Sequence, residues 1–211
     1  MTDSKKSDRA PIVAERGKRE RLTTAAVKML HEQGVEKTTL ADIARAADVP
    51  VGNVYYYFKT KDDLVEAALD AHAQGLQTMI ASFEGLSTPQ DRLKTLIGGW
   101  VGQRDLAARF GCPTGTLCSE LGKRADGLDR GLDRTAAKVM RGLIDWSEQQ
   151  FRLMGRSDSR DLAVALIAAY QGISLLTNTF RDPELMVREG DRLERWIDSL
   201  GRPSEDPGDP T

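Results

Sequence analysis

Residues 38–64 read TTLADIARAADVPVGNVYYYFKTKDDL. Leu40, Ile43, Ala44 and Ala47 recur at helical spacing and line one face of a short helix. Thr38 and Thr39 offer a hydroxyl where that helix starts, as an N-cap requires. The helix stops at Ala47-Asp48, and aspartate is among the few non-glycine residues that accept a left-handed turn position. A second short helix is predicted from Pro50 to Tyr57, with proline in the first turn, where no amide donor is needed. Two helices joined by so short a turn form a helix-turn-helix unit, whose second helix can enter a DNA major groove.

The second helix suits that task. Val51, Gly52 and Asn53 form a small, partly polar leading end that can approach base edges. Val54 and Phe58 lie four apart and read as the face packed on the domain. Tyr55, Tyr56 and Tyr57 are consecutive and cannot share one face, so at least one hydroxyl is free to donate to a phosphate oxygen. Lys59 and Lys61 place cations just beyond the helix. The DNA-contacting set is therefore Val51, Gly52 and Asn53 toward bases, with Thr38, Thr39, Tyr55, Tyr57, Lys59 and Lys61 toward the backbone.

The segment from about Glu15 to Leu69 resembles the DNA-binding domain of the TetR family of bacterial transcriptional regulators. The resemblance rests on Gly34, Thr38-Thr39, Asp42-Ile43-Ala44, Ala47, Val49, Gly52, Val54-Tyr55, Tyr57-Phe58, Lys61 and Leu64, and on an amphipathic helix before them. Asp48 and Pro50 depart from the glycine and serine common in the family, and both fit the local geometry. The resemblance implies an all-α chain: an N-terminal three-helix helix-turn-helix domain followed by a helical ligand-binding and dimerisation domain. It also implies a homodimer binding a palindromic double-stranded DNA operator and released by a small-molecule effector.

Composition agrees with such a chain without demanding it. Of 211 residues, 30 are Lys or Arg and 32 Asp or Glu, a net charge of −2. Residues 1–63 carry 12 basic and 10 acidic side chains, or +2, and the remainder 18 and 22, or −4. That asymmetry is too mild to argue for DNA, which needs positioned cations rather than a basic average. No stretch approaches the ~20 apolar residues of a membrane span, and the polar N-terminus lacks the apolar run of a secretory signal. Two cysteines in so long a chain fit a reducing compartment, so the expected location is the cytoplasm.

The expected organisation is a disordered arm at 1–11, a helix-turn-helix domain over 12–70 with its recognition unit at 39–58, a regulatory and dimerisation domain over 71–200, and a disordered tail at 201–211. The first helix runs from Ile12 to Gln33 and ends at Gly34. Thr60 and Asp63 form a capping box for the next helix, which reaches about Phe83 and is the connector in the resembled family. Thr88-Pro89 starts a helix expected to reach Phe110, weakened by Gly98, Gly99 and Gly102. GLDRGLDR at 127–134 reads as a helix start with Leu128 and Leu132 on one face. Two apolar helices at about 159–180 and 184–200 hold more apolar surface than one layer buries. In the resembled family, such helices pair with their twins.

A second informative stretch is FGCPTGTLCSEL, residues 110–121. Gly111, Pro113 and Gly115 predict a tight loop, with Thr116 capping a helix from Leu117. Cys112 then lies near a helix N-terminus and close in sequence to Arg109, both of which favour a thiolate. A Gly-Cys-Pro loop resembles one in a subset of the family, which leaves Cys112 either a sensor or a small buried apolar residue. Cys112 and Cys118 can pair only if their α-carbons come within ~7 Å. Trp100, Phe110, Cys112, Trp146 and Tyr170 are the ligand-site candidates.

No metal site, cofactor or catalytic residue is expected. The two histidines, His31 and His72, fall on separate elements, and no glycine-rich phosphate loop is present. Three readings stay open: a repressor released by a small molecule, a regulator switched by covalent modification of Cys112, and a helical adaptor without specific DNA binding.

Overall fold

The structure is a computed structural model and describes residues 9–124 and 131–201, with side chains from Gly17 onward. Residues 9–11 of the arm expected at 1–11 are helical, and the expectations for its first eight residues, for Leu128 of the tandem repeat and for the tail at 202–211 lie outside the described residues. Among the described residues every regular element is a helix. In order they are α1 (Arg9–Lys37), α2 (Leu40–Ala46), α3 (Val51–Tyr57), α4 (Lys61–Ser82), α5 (Pro89–Gly102), α6 (Arg104–Phe110), α7 (Pro113–Lys123), α8 (Leu132–Leu153), α9 (Ser159–Phe180) and α10 (Pro183–Leu200), with a single 3-10 turn at Phe83–Gly85 after α4.

The chain divides into two compact units, Met1–Leu76 with Thr116–Ala137, and Gln77–Gly115 with Lys138–Thr211. A cut near residue 70 therefore does not describe it, because the latter part of α7 and the start of α8 pack with the first unit. That unit's core is built from Leu22, Ala26 and Leu30 of α1, Ile43 and Ala44 of α2, Val54 of α3, Leu64, Val65 and Leu69 of α4, Leu117 and Leu121 of α7, and Leu132. Leu22, Ala26 and Leu30, Val65 and Leu69, and Leu117 and Leu121 stand four residues apart, so one stripe of each of those helices faces inward.

Local chemistry accounts for the joints. Gly34 adopts φ +82° and breaks α1, so the helix expected to stop at Gln33 is followed by a short turn to Lys37. A side chain there would be strained. Asp48 takes φ +51°, the left-handed position that aspartate accepts, and Val49 closes the turn by donating to the Ala44 carbonyl at 2.9 Å. Pro50 precedes α3 as its N-cap residue, one position earlier than a first-turn proline. Thr60 accepts the Asp63 amide at 3.1 Å, while the Asp63 carboxylate takes the Lys59 and Thr60 amides, each at 3.0 Å. That reciprocal cap starts α4.

In the second unit α10 packs on α5, α6 and α9, and α6 packs on α9. The core holds Leu93 and Ile97 of α5, Phe151 of α8, Ala163 and Leu166 of α9, and Met186, Leu193 and Ile197 of α10. Thr88 caps α5 by accepting the Asp91 amide at 3.1 Å. The single helix expected to reach Phe110 is instead two, α5 and α6, parted at Gln103. Gly102 supplies the weak point. The far end of α6 is held because Asn178 and Arg181 both donate to the Ala108 carbonyl, at 3.1 and 2.8 Å.

By length and composition α9 does qualify as a membrane-crossing helix, against the expectation that no stretch would. One face, carrying Ala163, Leu166, Ile167, Ile173, Ser174 and Thr177, is buried in the unit. The opposite face is apolar as well. Val164, Leu175, Leu176 and Phe180 are 44–65% exposed.

Candidate nucleic-acid interface and effector site

α2 begins with a reciprocal pair. Thr39 Oγ1 accepts the Asp42 amide at 3.1 Å and donates to Asp42 Oδ2 at 2.5 Å. The Thr39 hydroxyl, helped by Arg45, holds the Asp42 carboxyl below the usual carboxylate range. Thr39 is exposed, as a phosphate contact requires. Thr38 is not: it is wholly buried and donates to the Gly34 carbonyl at 2.6 Å. The backbone contact expected of Thr38 gives way to that internal bond.

α3 presents one clear outer face. Val54 is fully buried and Phe58 nearly so, while Val51 is 44%, Tyr55 53% and Tyr56 66% exposed. Gly52 is exposed and Asn53 half-buried. Tyr57 points the other way, packing against the first core and meeting Tyr56 edge-on at 5.0 Å between centroids. The free tyrosines are therefore Tyr55 and Tyr56. Consecutive tyrosines could not be sorted by spacing alone, which is why Tyr56 was missed. Lys59 Nζ donates to the Tyr55 carbonyl at 3.0 Å at the end of α3, and Lys61 Nζ to the Glu36 carbonyl at 3.3 Å. Lys59 is exposed and Lys61 half-buried, so Lys59 is the freer of the two to turn outward. Arg19 of α1 lies over the Phe58 ring at 5.2 Å, adding a cation beside the helix.

In the second unit the aromatic candidates do not all converge. Trp100 and Tyr170 stack, with centroids 4.0 Å apart and planes 12° off parallel. The Tyr170 hydroxyl neighbours the Cys112 sulfur, and burial followed by that contact pushes the phenol well above its ordinary range. Tyr170 therefore stays a neutral hydrogen-bond donor. Trp146 packs with Phe83 at 6.0 Å and shares an apolar cluster with Trp100. Phe110 instead lies under the Arg109 guanidinium, 4.7 Å from its ring centroid.

The loop expected through Gly115 is shorter. α7 starts at Pro113 rather than Leu117, which makes Cys112 its N-cap. Cys112 is buried, and its sulfur accepts the Gly115 amide at 3.3 Å, the donor three residues into the helix. Gln171 of α9 donates to the same sulfur at 3.5 Å and to Met140 Sδ at 3.8 Å. Gln171 and Met140 were not anticipated, although a glutamine within so apolar a helix is a signal. Cys112 and Cys118 both carry thiols rather than sharing a disulfide. With Cys118 six residues along a continuous helix, rise alone parts their α-carbons by roughly 9 Å, too far for a bond. Among the described residues no group of His, Cys, Asp or Glu could hold a metal ion.

A buried scaffold that presents one short exposed helix beyond a tight turn defines a helix-turn-helix DNA-binding protein, here joined to a helical partner unit. Residues 22–68 match the family model described as "Bacterial regulatory proteins, tetR family". An HTH-type transcriptional regulator in the lacX 3' region of Lactococcus lactis subsp. lactis is 25% identical over 193 residues, 88% of this chain and 96% of its own. The HTH-type transcriptional regulator HbdR of Aromatoleum sp. (strain CIB) is 40% identical over 86 residues, 39% of this chain and 35% of its own. Two solved structures share the fold at 20% identity. They are the TetR-family regulator SCO4454 of Streptomyces coelicolor (TM-score 0.74, 89% of this chain and 97% of that one) and the reduced form of E. coli NemR (TM-score 0.71, 84% and 96%). Residues 22–68 form a TetR-family helix-turn-helix domain, and the chain is a helix-turn-helix transcriptional regulator.

Proposed function

We propose that this regulator is a cytoplasmic homodimeric repressor that binds a near-palindromic operator and leaves it when a small molecule occupies the second unit. The outer face of α3 carries the reading. Val51, Gly52 and Asn53 lead into the major groove, while Tyr55, Tyr56, Thr39 and Lys59 meet the phosphate backbone. Lys61 joins them only if it releases the Glu36 carbonyl. The apolar outer stripe of α9, from Val164 through Ala168, Gly172 and Leu175 to Phe180, is the surface on which a second copy packs, with α10 beside it. Two recognition helices set one helical turn apart then read two half-sites. The effector contacts are Trp100, Tyr170, Cys112 and Gln171, with Trp146 behind them. A ligand favouring a state with mis-spaced recognition helices lowers DNA affinity by its difference in affinity between the two states.

The test is a gel shift of purified protein on DNA selected from its own genome, with excess nonspecific DNA present and mass measured in solution. A dimer with a specific shift supports the reading. A monomer with sequence-indifferent or no binding leaves only the helical adaptor.

The engaged Cys112 sulfur favours a second reading of the trigger. A peroxide oxidising the thiol to a sulfenic acid, with water as the other product, replaces the sulfur that accepts the Gly115 and Gln171 donors. Cys112→Ser separates the two. Loss of peroxide-driven release with small-molecule release retained assigns the switch to the thiol.

A further inference from the structure

We propose that Glu120 is a positioning residue for DNA binding, holding the helix-turn-helix from the end of α7; this rests on the operator-binding reading above. The joint between α1 and α2 turns at Gly34, and the backbone there is gripped from two sides. Thr38, the residue before the α2 cap, donates its hydroxyl to the Gly34 carbonyl at 2.6 Å. The Val35 amide donates to Glu120 Oε2 at 2.6 Å, across 85 positions of sequence. Val35 itself is fully buried, so removing Glu120 takes away its amide's side-chain acceptor. The carboxylate also fills the space over Gly34, where an added β-carbon would meet Glu120 Cδ at 2.9 Å. A charged acceptor on a buried amide is among the stronger hydrogen bonds a fold makes.

Just past the end of α7, Arg124 reaches Asp62 in the first turn of α4 at 3.3 Å and Glu36 at 3.6 Å. Lys61 meets the Glu36 carbonyl from the other side at 3.3 Å. The last turn of α7 and Arg124 just beyond it thus hold the chain on both sides of residues 40–57: at 34–36 before α2, and at 62 after α3. Neither Glu120 nor Arg124 lies on the recognition face. Their effect on DNA affinity is through the placement of α2 and α3.

The experiment takes full-length protein and a DNA fragment that wild-type protein selects from genomic DNA. It compares wild type, Glu120→Ala and Glu120→Gln for affinity, for the slope of affinity against salt, for dimer mass and for melting temperature. Glu120→Ala is expected to lose about tenfold or more in affinity as a folded dimer, with the salt slope unchanged because no phosphate contact is removed. Glu120→Gln, which keeps an oxygen for the Val35 amide, recovers most of the loss. If Glu120→Ala does not fold, Glu120→Asp, one methylene short of Val35, is read in the same way. Wild-type affinity in a folded Ala or Asp variant overturns the proposal, as does an equal loss in Gln and Ala. A wild type that selects no sequence overturns the operator-binding reading and this inference with it.

Discussion

Trp100 of α5 and Tyr170 of α9 stack face to face, 4.0 Å between ring centroids. The pair ties two helices of the second unit together and puts the phenol beside Cys112. Removing the ring and removing the hydroxyl therefore have different consequences. Tyr170→Ala is expected to destabilise the protein by about 3 kcal/mol, from lost burial plus the cavity left behind. Tyr170→Phe keeps the stack and changes stability by less than about 1 kcal/mol, while altering effector response. Urea unfolding of both variants checks this, and equal losses would show the hydroxyl to be structural.

The outer and inner faces of α3 separate binding from folding. Val54→Ala opens a fully buried site and should cost about 2 kcal/mol. Tyr55→Phe and Tyr56→Ala alter exposed residues, so stability stays within about 0.5 kcal/mol of wild type. Both should weaken binding to every sequence alike, as lost phosphate contacts do. A changed base preference in Tyr55→Phe, read by selection on random DNA, would remove it from the phosphate set.

Cys112 is a cap before it is anything else. Serine supplies an oxygen in place of sulfur at the same N-cap, so Cys112→Ser should melt at or near the wild-type temperature. Cys112→Ala removes the acceptor and should lose about 1 kcal/mol. Comparing melting curves of the two variants isolates the cap from the redox chemistry.

His72 of α4 titrates below its ordinary value, because burial disfavours its charged form and His31 adds positive charge nearby. The unfolded chain therefore binds a proton more readily than the folded one as pH falls below the ordinary histidine value. Stability contributed by neutral His72 is full above that value and declines as pH drops through about 6.5. Melting temperature should fall by a few degrees between about pH 7 and 5.5, and His72→Gln should flatten that decline. An unchanged slope would place the acid sensitivity elsewhere.

Leu175 is 65% exposed in the isolated chain, on the apolar stripe of α9. Leu175→Arg should leave the fold intact and halve the mass measured by light scattering. A variant that keeps the wild-type mass would move the self-association surface off α9.

The parts legible in the sequence are those set by neighbours along the chain. The Thr39, Thr60 and Thr88 caps, the left-handed Asp48 and the buried Val54 and Phe58 each follow from residues within one turn. What spacing left open depends on how the backbone turns or on partners far along the chain. Thr38 and Thr39 look alike until Gly34 turns its carbonyl toward one of them. α5 and α6 read as one helix because a single residue, Gln103, parts them. α7 starts four residues early because a thiol serves as its cap, a role usually given to oxygen. The Gln171 contact with Cys112 spans 59 positions, so the sequence marks the glutamine but not its partner.

The most direct test of the account is a selection of genomic fragments by the purified protein in excess nonspecific DNA, repeated with Asn53→Ala. The account predicts that wild type enriches one two-fold symmetric sequence, its half-sites about one helical turn apart, and binds it as a dimer. Asn53→Ala should lose or relax preference at the same position in both half-sites while keeping the salt slope. Enrichment of no sequence, or an unaltered preference in Asn53→Ala, would contradict the assignment of α3 as the reading helix.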